Sequence, residues 1–166
     1  MNSVYLDTCI ISGLAKEDLT EKELNALMEL LKLHKKGEVS LVTSSVTMQE
    51  LEKIPSTARR KHELIYLLLK DIPISRAKWT DSGLTLMGVG GGSREDPLYT
   101  KLKEILPDEN DRHHVFQALK SKSTYFVTTD RKTILKHNKK LFLEFDEFMV
   151  LSPSEIIELL SVNTAG

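Results

Sequence analysis

Four acidic side chains, Asp7, Glu50, Asp111 and Asp130, stand where a fold could bring them to one place. Asp7 directly follows the apolar, β-type run Ser3-Val4-Tyr5-Leu6, and Asp130 follows Tyr125-Phe126-Val127-Thr128-Thr129. In open parallel sheets, ligands bind outside the carboxyl ends of the strands. Glu50 and Asp111 are expected in the first turns of helices that begin near the same edge. Four carboxylates so placed would repel one another and hold their protons more tightly unless a cation neutralised them. Oxygen-only donors suit a hard ion such as Mg²⁺ or Mn²⁺. Such an ion polarises a phosphate, activates a bound water and stabilises a leaving oxygen, so the expected chemistry is hydrolysis of a phosphodiester.

Each acid also has an ordinary reading. Asp7 could cap a following helix, as aspartates commonly do. Glu50 shares a helix with Glu52 and Lys53 and could be a solvated charge. Asp108, Glu109 and Asp111 all fall near a helix start, where the dipole favours negative charge in any case. There Asp108 is expected as the N-cap and Asp111 as the ligand, with exchange of those two roles the main alternative. Asp130 could cap the helix that contains Ile134. His114 follows Asp111 by one helical turn and shares its face, which suits a structural partner to a carboxylate. Arg131 and Lys132 adjoin Asp130 and are the expected phosphate contacts. Cys9, in an apolar context, reads as a small core residue.

The elements that must position these groups alternate between short apolar strands and helices. Strands are expected over Ser3–Leu6, Val39–Thr43, Tyr125–Thr128 and Phe148–Leu151, with Ile72-Pro73-Ile74 a short edge strand. Helices are expected from Glu21 to a stop at Gly37, from Ser44 or Ser45 to Pro55, and over Ala58–Leu69. Further helices are expected over Pro97–Leu106, from Asp108 onward, over Lys132–His137, and from Ser152 or Pro153 to Leu160. Between Ala77 and Pro97 the pattern is poor. Gly88-Val89-Gly90-Gly91-Gly92-Ser93 lacks the Gly-Lys-Ser/Thr ending of a phosphate loop and reads as a loop. Strands alternating with helices imply βαβ units: an α/β fold with a mainly parallel sheet covered on both faces.

Size and composition are consistent with that. The chain has 166 residues, 40% apolar and 28% charged, ordinary for one globular domain. Residues 1–161 are expected to form a single domain and 162–166 a tail. One cysteine permits no internal disulfide, which fits a reducing cytoplasm. No apolar run approaches the roughly 18 residues that span a bilayer, so no membrane association is expected. A formal net charge of −1 argues against grip on nucleic acid through bulk charge, and leaves a metal-dependent nuclease open.

Taken in order, the motifs resemble those of the PIN-domain family. Val4-Tyr5-Leu6-Asp7-Thr8-Cys9-Ile10-Ile11-Ser12-Gly13-Leu14 is similar to its opening motif, and Ser45-Val46-Thr47-Met48-Gln49-Glu50-Leu51 to its second acidic motif. Asp111-Arg112-His113-His114-Val115-Phe116-Gln117-Ala118 and Phe126-Val127-Thr128-Thr129-Asp130 resemble its third and fourth. The resemblance implies a three-layer α/β/α sandwich and a metal-dependent endoribonuclease with Asp7, Glu50, Asp111 and Asp130 at the metal. It also implies that the Thr128 hydroxyl, and that of Thr8, support those carboxylates. Toxins of the VapC type belong to the family, so an antitoxin partner and a homodimer are implied as well. The chain departs from the pattern by an insertion-like stretch over 82–97 and by the crowding of Asp108 and Glu109 against the third motif. The competing class is a nucleic-acid or protein-binding module that keeps the fold with little activity.

Overall fold

Alternation along three short strands decides the layers. In the computed structural model, which describes residues 2–74, 77–80, 83–86, 89–92, 96–146 and 148–164, strands β1 (Asn2–Leu6), β2 (Val39–Val42), β6 (Tyr125–Val127) and β7 (Met149–Leu151) form one sheet in the order β2-β1-β6-β7. All three pairings are parallel, with Tyr5 beside Val42 and Phe126, and Phe126 beside Val150. Successive side chains in a strand point to opposite faces. Val4, Leu6, Tyr125, Val127 and Leu151 therefore join one buried cluster, while Tyr5, Phe126 and Val150 join another. A parallel sheet buried on both faces needs helices on both.

The first face is covered by α1 (Thr8–Lys16), α2 (Glu21–Lys35), α3 (Ser45–Glu52), α5 (Glu63–Lys70) and α9 (Pro153–Thr164), through residues such as Ile10, Leu27, Leu51, Ile65 and Ile156. The second is covered by α6 (Pro97–Ile105), α7 (Glu109–Lys120) and α8 (Asn138–Glu144), through Leu102, Phe116 and Leu141. Tyr5 and Phe126 stack across the strands with ring centroids 5.4 Å apart. The expected α/β class with a central parallel sheet between helical layers is the observed one.

Local chemistry sets the helix starts. The side chains of Thr20, Ser44 and Asp108 accept backbone N–H groups of Glu23, Thr47, and Asn110 with Asp111, each an N-cap. Ser152 and Glu155 form a reciprocal capping box on α9: Ser152 N donates to Glu155 Oε2 at 2.7 Å and Glu155 N to Ser152 Oγ at 3.3 Å. Gly37 takes φ 78°, a left-handed conformation that ends the α2 segment.

Several expectations are corrected. The helix expected over Ala58–Leu69 is two, α4 (Ser56–Lys61) and α5, broken at His62, where φ −122° and ψ 38° leave the helical region. Arg59 ties α4 back to the end of α3 by donating to the carbonyls of Ile54 and Glu52, so α5 starts afresh with its own buried stripe. In place of a helix over Lys132–His137 there is a turn and a 3₁₀ segment, Leu135–His137, running into α8. The Asp130 side chain takes the N–H groups of Lys132 and Thr133, offering the backbone an alternative to helix. The edge strand at Ile72–Ile74 reduces to a single parallel bridge between Thr43 and Ile74, because Pro73 contributes only its carbonyl, to Thr43 N. In the glycine run, where a loop was expected, Val89–Gly92 is strand β5, in a separate antiparallel sheet with β3 (Ala77–Thr80) and β4 (Gly83–Leu86). Helix α9 continues to Thr164, past its expected end at Leu160.

Candidate functional site

The sheet order makes β1 and β6 the neighbours from which the chain leaves in opposite directions, to β2 on one side and β7 on the other. Such a switch point opens a crevice at the strands' carboxyl ends. Asp7 ends β1 there and Thr128-Thr129-Asp130 ends β6.

Asp7 is 3% exposed. It caps α1, with Oδ1 accepting Thr8 N at 2.8 Å. Its Oδ2 accepts the Thr128 hydroxyl at 2.7 Å. Thr128 Oγ1 in turn accepts Asp130 N at 3.1 Å, so one buried hydroxyl joins the ends of both strands. Asp130 is braced by its own turn: Oδ1 accepts Lys132 N at 2.9 Å and Thr133 N at 2.8 Å, and Oδ2 accepts the Thr133 hydroxyl at 2.7 Å.

Asp111 enters from α7, its amide held by the Asp108 cap at 3.1 Å. Burial raises its pKa above the ordinary carboxylate value, and the charges of Asp108, Asp130 and Asp7 raise it further; the nearby Thr133 side chain acts the other way. Asp111 therefore lies within electrostatic reach of Asp7 and Asp130, which come from two other distant segments. His114 Nδ1 stands 4.0 Å from Asp7 Oδ1, beyond a direct hydrogen bond, and has no hydrogen-bond partner among the described residues.

Glu50 is placed differently. It lies in the last turn of α3 rather than the first, paired with Lys53 at 2.7 Å. It lines a shallow groove of about 160 Å³ with Ser12 and Lys16, and it is not among the charges that raise Asp111. Beside the acids, a cleft of about 730 Å³ runs past Cys9, Ser12, Lys16, Thr129, Asp130 and Arg131. Lys16 belongs to both hollows and so marks where they meet. Arg131 is largely exposed, with Nη2 4.0 Å from Glu23 Oε1; Lys132 is exposed and lines neither hollow.

Cys9 does more than fill the core. Its sulfur lies 2.9 Å from Thr128 Oγ1 and accepts Thr129 N at 3.2 Å. Burial, with the adjacent Asp7 charge, pushes the thiol pKa up to about 12, so it is no thiolate nucleophile near neutrality. Thr133 was missed in the sequence; the Asp-x-x-Thr spacing of a side-chain-capped turn was its signal.

A carboxylate offers about four lone-pair sites. The hydrogen bonds to Asp7 leave capacity free, and Asp111 adds a third oxygen donor with no lysine or arginine paired to it among the described residues. The donor chemistry thus fits a hard divalent cation held by Asp7, Asp111 and Asp130. Among the described residues, no three His, Cys, Asp or Glu groups already surround a common point, so ligation would need side-chain rotation, most simply of half-buried Asp111. No family model matches the chain, and no curated protein or solved structure is significantly similar to it.

Proposed function

We propose that this protein is a metal-dependent phosphodiesterase, an endoribonuclease by the motif resemblance, working at the crevice between β1 and β6. The observation that carries the reading is the approach of Asp111 to Asp7 and Asp130 at that switch point, where the repulsion it meets from them is what a cation relieves. Bound there, Mg²⁺ or Mn²⁺ would neutralise phosphate charge and make a water acidic enough to attack. The chain's own residues do the rest. Thr128 holds Asp7 oriented, the Asp130 turn fixes the opposite wall, and Arg131 offers its guanidinium to the neighbouring phosphate.

Purified protein with assorted RNAs and Mn²⁺ tests this. Cleavage abolished by EDTA, and by Asp7→Asn combined with Asp111→Asn, is expected. Cleavage that survives either treatment overturns the proposal. Growth arrest on expression, relieved by a small neighbouring open reading frame, would mark a toxin with an antitoxin, and elution as a dimer the implied homodimer.

One observation favours a second reading, a binding module with little activity. Asp7 and Asp130 are already engaged by N–H and O–H donors, and Glu50 by Lys53. Such a module gains no thermal stability from Mn²⁺, whereas the enzyme does.

A further inference from the structure

One stretch of the surface is charged unlike the rest. Residues 131–140, directly after Asp130, hold Arg131, Lys132, Lys136, Lys139 and Lys140 and no Asp or Glu. Setting these five charges aside from the chain's net −1 leaves the remainder at −6. Elsewhere lysines are neutralised: Lys22, Lys53, Lys61, Lys101 and Lys120 each stand within 3.1 Å of a carboxylate oxygen. Among the described residues, Lys132, Lys136, Lys139 and Lys140 pair with no acid, and all four are exposed.

The fold holds this stretch in one place. Ile134 and Leu141 are buried on the second face of the sheet. Asn138 Oδ1 accepts Val150 N at 2.9 Å and so fastens the start of α8 to β7, an outer strand of the sheet. Lys136, Lys139 and Lys140 follow the three- and four-residue spacing that puts helical side chains on one face, from the 3₁₀ segment into α8. Burial lowers the His137 pKa, and the charges of Lys136 and Lys140 lower it further, so both ammonium groups act on one ring. Phe142, three residues beyond Lys139, keeps 37% of its surface exposed.

We infer that this ridge, from Lys136 to Phe142, is a docking surface for single-stranded RNA that leads to the Asp130 crevice. Closely spaced cations gather counterions that a nucleic-acid backbone displaces, and that release favours binding. An exposed aromatic ring beside them gives an unpaired base a place to stack, which a closed duplex cannot use. The acidic remainder of the chain repels the backbone and confines it to this strip. Arg131 lines the cleft beside Asp130, so the positive stretch begins at the crevice itself. The choice of RNA rests on the phosphodiesterase reading.

Fluorescence anisotropy with a labelled single-stranded RNA in EDTA measures the grip apart from cleavage. With three or four phosphates engaged, log K should fall with log salt at a slope of about −2 to −3. Lys136→Gln, Lys139→Gln and Lys140→Gln together should take about 2 from that slope, a loss near a hundredfold at about 0.1 M salt that vanishes at about 1 M. Phe142→Leu should weaken binding about tenfold and leave the slope as it is; an unchanged affinity overturns the stacking and with it the choice of single strands. Lys32→Gln, Lys35→Gln and Lys36→Gln together remove the same charge from α2 and should alter neither quantity. Equal losses in the two triple variants, or binding to vesicles of phosphatidylserine and phosphatidylcholine with none to RNA, overturn the inference. If the ridge variant binds RNA like wild type while wild type cleaves it with Mn²⁺, the inference fails and the reading stands. If the ridge grips RNA as expected and no Mn²⁺-dependent cleavage follows, the reading fails and the ridge stands.

Discussion

Thr128 donates its hydroxyl proton to Asp7 across 2.7 Å, a bond between residues 121 positions apart that closes the carboxyl ends of β1 and β6 on each other. The same oxygen accepts Asp130 N. Asp7 and Thr128 are both essentially out of solvent, so neither can turn to water if the other is lost. Thr128→Val, close in shape, strands a buried carboxylate oxygen and an amide together. An unfolding loss of about 2 kcal/mol is expected, the cost of unsatisfied buried polar groups. Thr128→Ser should recover most of it in urea titration. Equal stability of the valine and wild-type proteins would show that the hydroxyl braces nothing.

Glu23 predicts a second effect, away from the acids. It sits on α2 yet accepts Ser154 N at 2.9 Å and Ser154 Oγ at 2.8 Å, so it stands on the N-terminus of α9. Negative charge is favoured there, and one free N–H group and the Ser154 hydroxyl are satisfied at once. Glu23→Ala should cost about 1–2 kcal/mol, in the range of a lost N-cap, and Glu23→Gln less. Faster amide exchange in the first turn of α9 would localise the loss. An unchanged exchange rate there would mean that α9 is anchored by Ile156 and its capping box without help from Glu23.

How far the fold could be read from the sequence depended on which signal each element carries. The strands of the main sheet are apolar runs ending in polar residues, and their buried faces alternate as such runs require. The caps at Ser44 and Asp108 were readable because a short polar side chain precedes each helical stripe. The 131–144 stretch was not, because Asp130 diverts backbone donors into its own turn, an effect that periodicity does not register. Nor was the strand at Val89–Gly92, whose glycines have no alternation to offer. The places of Asp7 and Asp130 after strands and of Asp111 at a helix start were legible. Glu50 was misplaced by about one helical turn, since its helix begins at Ser45 and it falls in the last turn.

Cys9 should behave as a concealed thiol. With its pKa pushed up to about 12 by burial and by Asp7, only about one molecule in ten thousand is thiolate at pH 8, and the thiolate is the reacting form. Iodoacetamide should label the native protein orders of magnitude more slowly than the urea-unfolded chain. Rapid native labelling at pH 8 would contradict the burial and hydrogen bonding described for it.

Asp111 gives the protein a pH signature. Its pKa is raised in the folded state by burial first, then by Asp108, Asp130 and Asp7. The folded state therefore holds this proton more tightly than the unfolded chain does. The group's contribution to stability falls as pH rises from the ordinary carboxylate value through the raised one, and stays lost above it. Asp111→Asn removes the charge and should stabilise the metal-free protein near pH 7 by about 0.5 kcal/mol, a figure held low because the carboxyl is half-exposed and screened. Near pH 3, where wild-type Asp111 is itself neutral, the advantage should vanish. Mn²⁺ should reverse the order at pH 7, stabilising wild type and not the variant. If Asp111→Asn is instead less stable at pH 7 and indifferent to Mn²⁺, Asp111 makes a favourable structural contact and the acids do not form a strained, cation-seeking group.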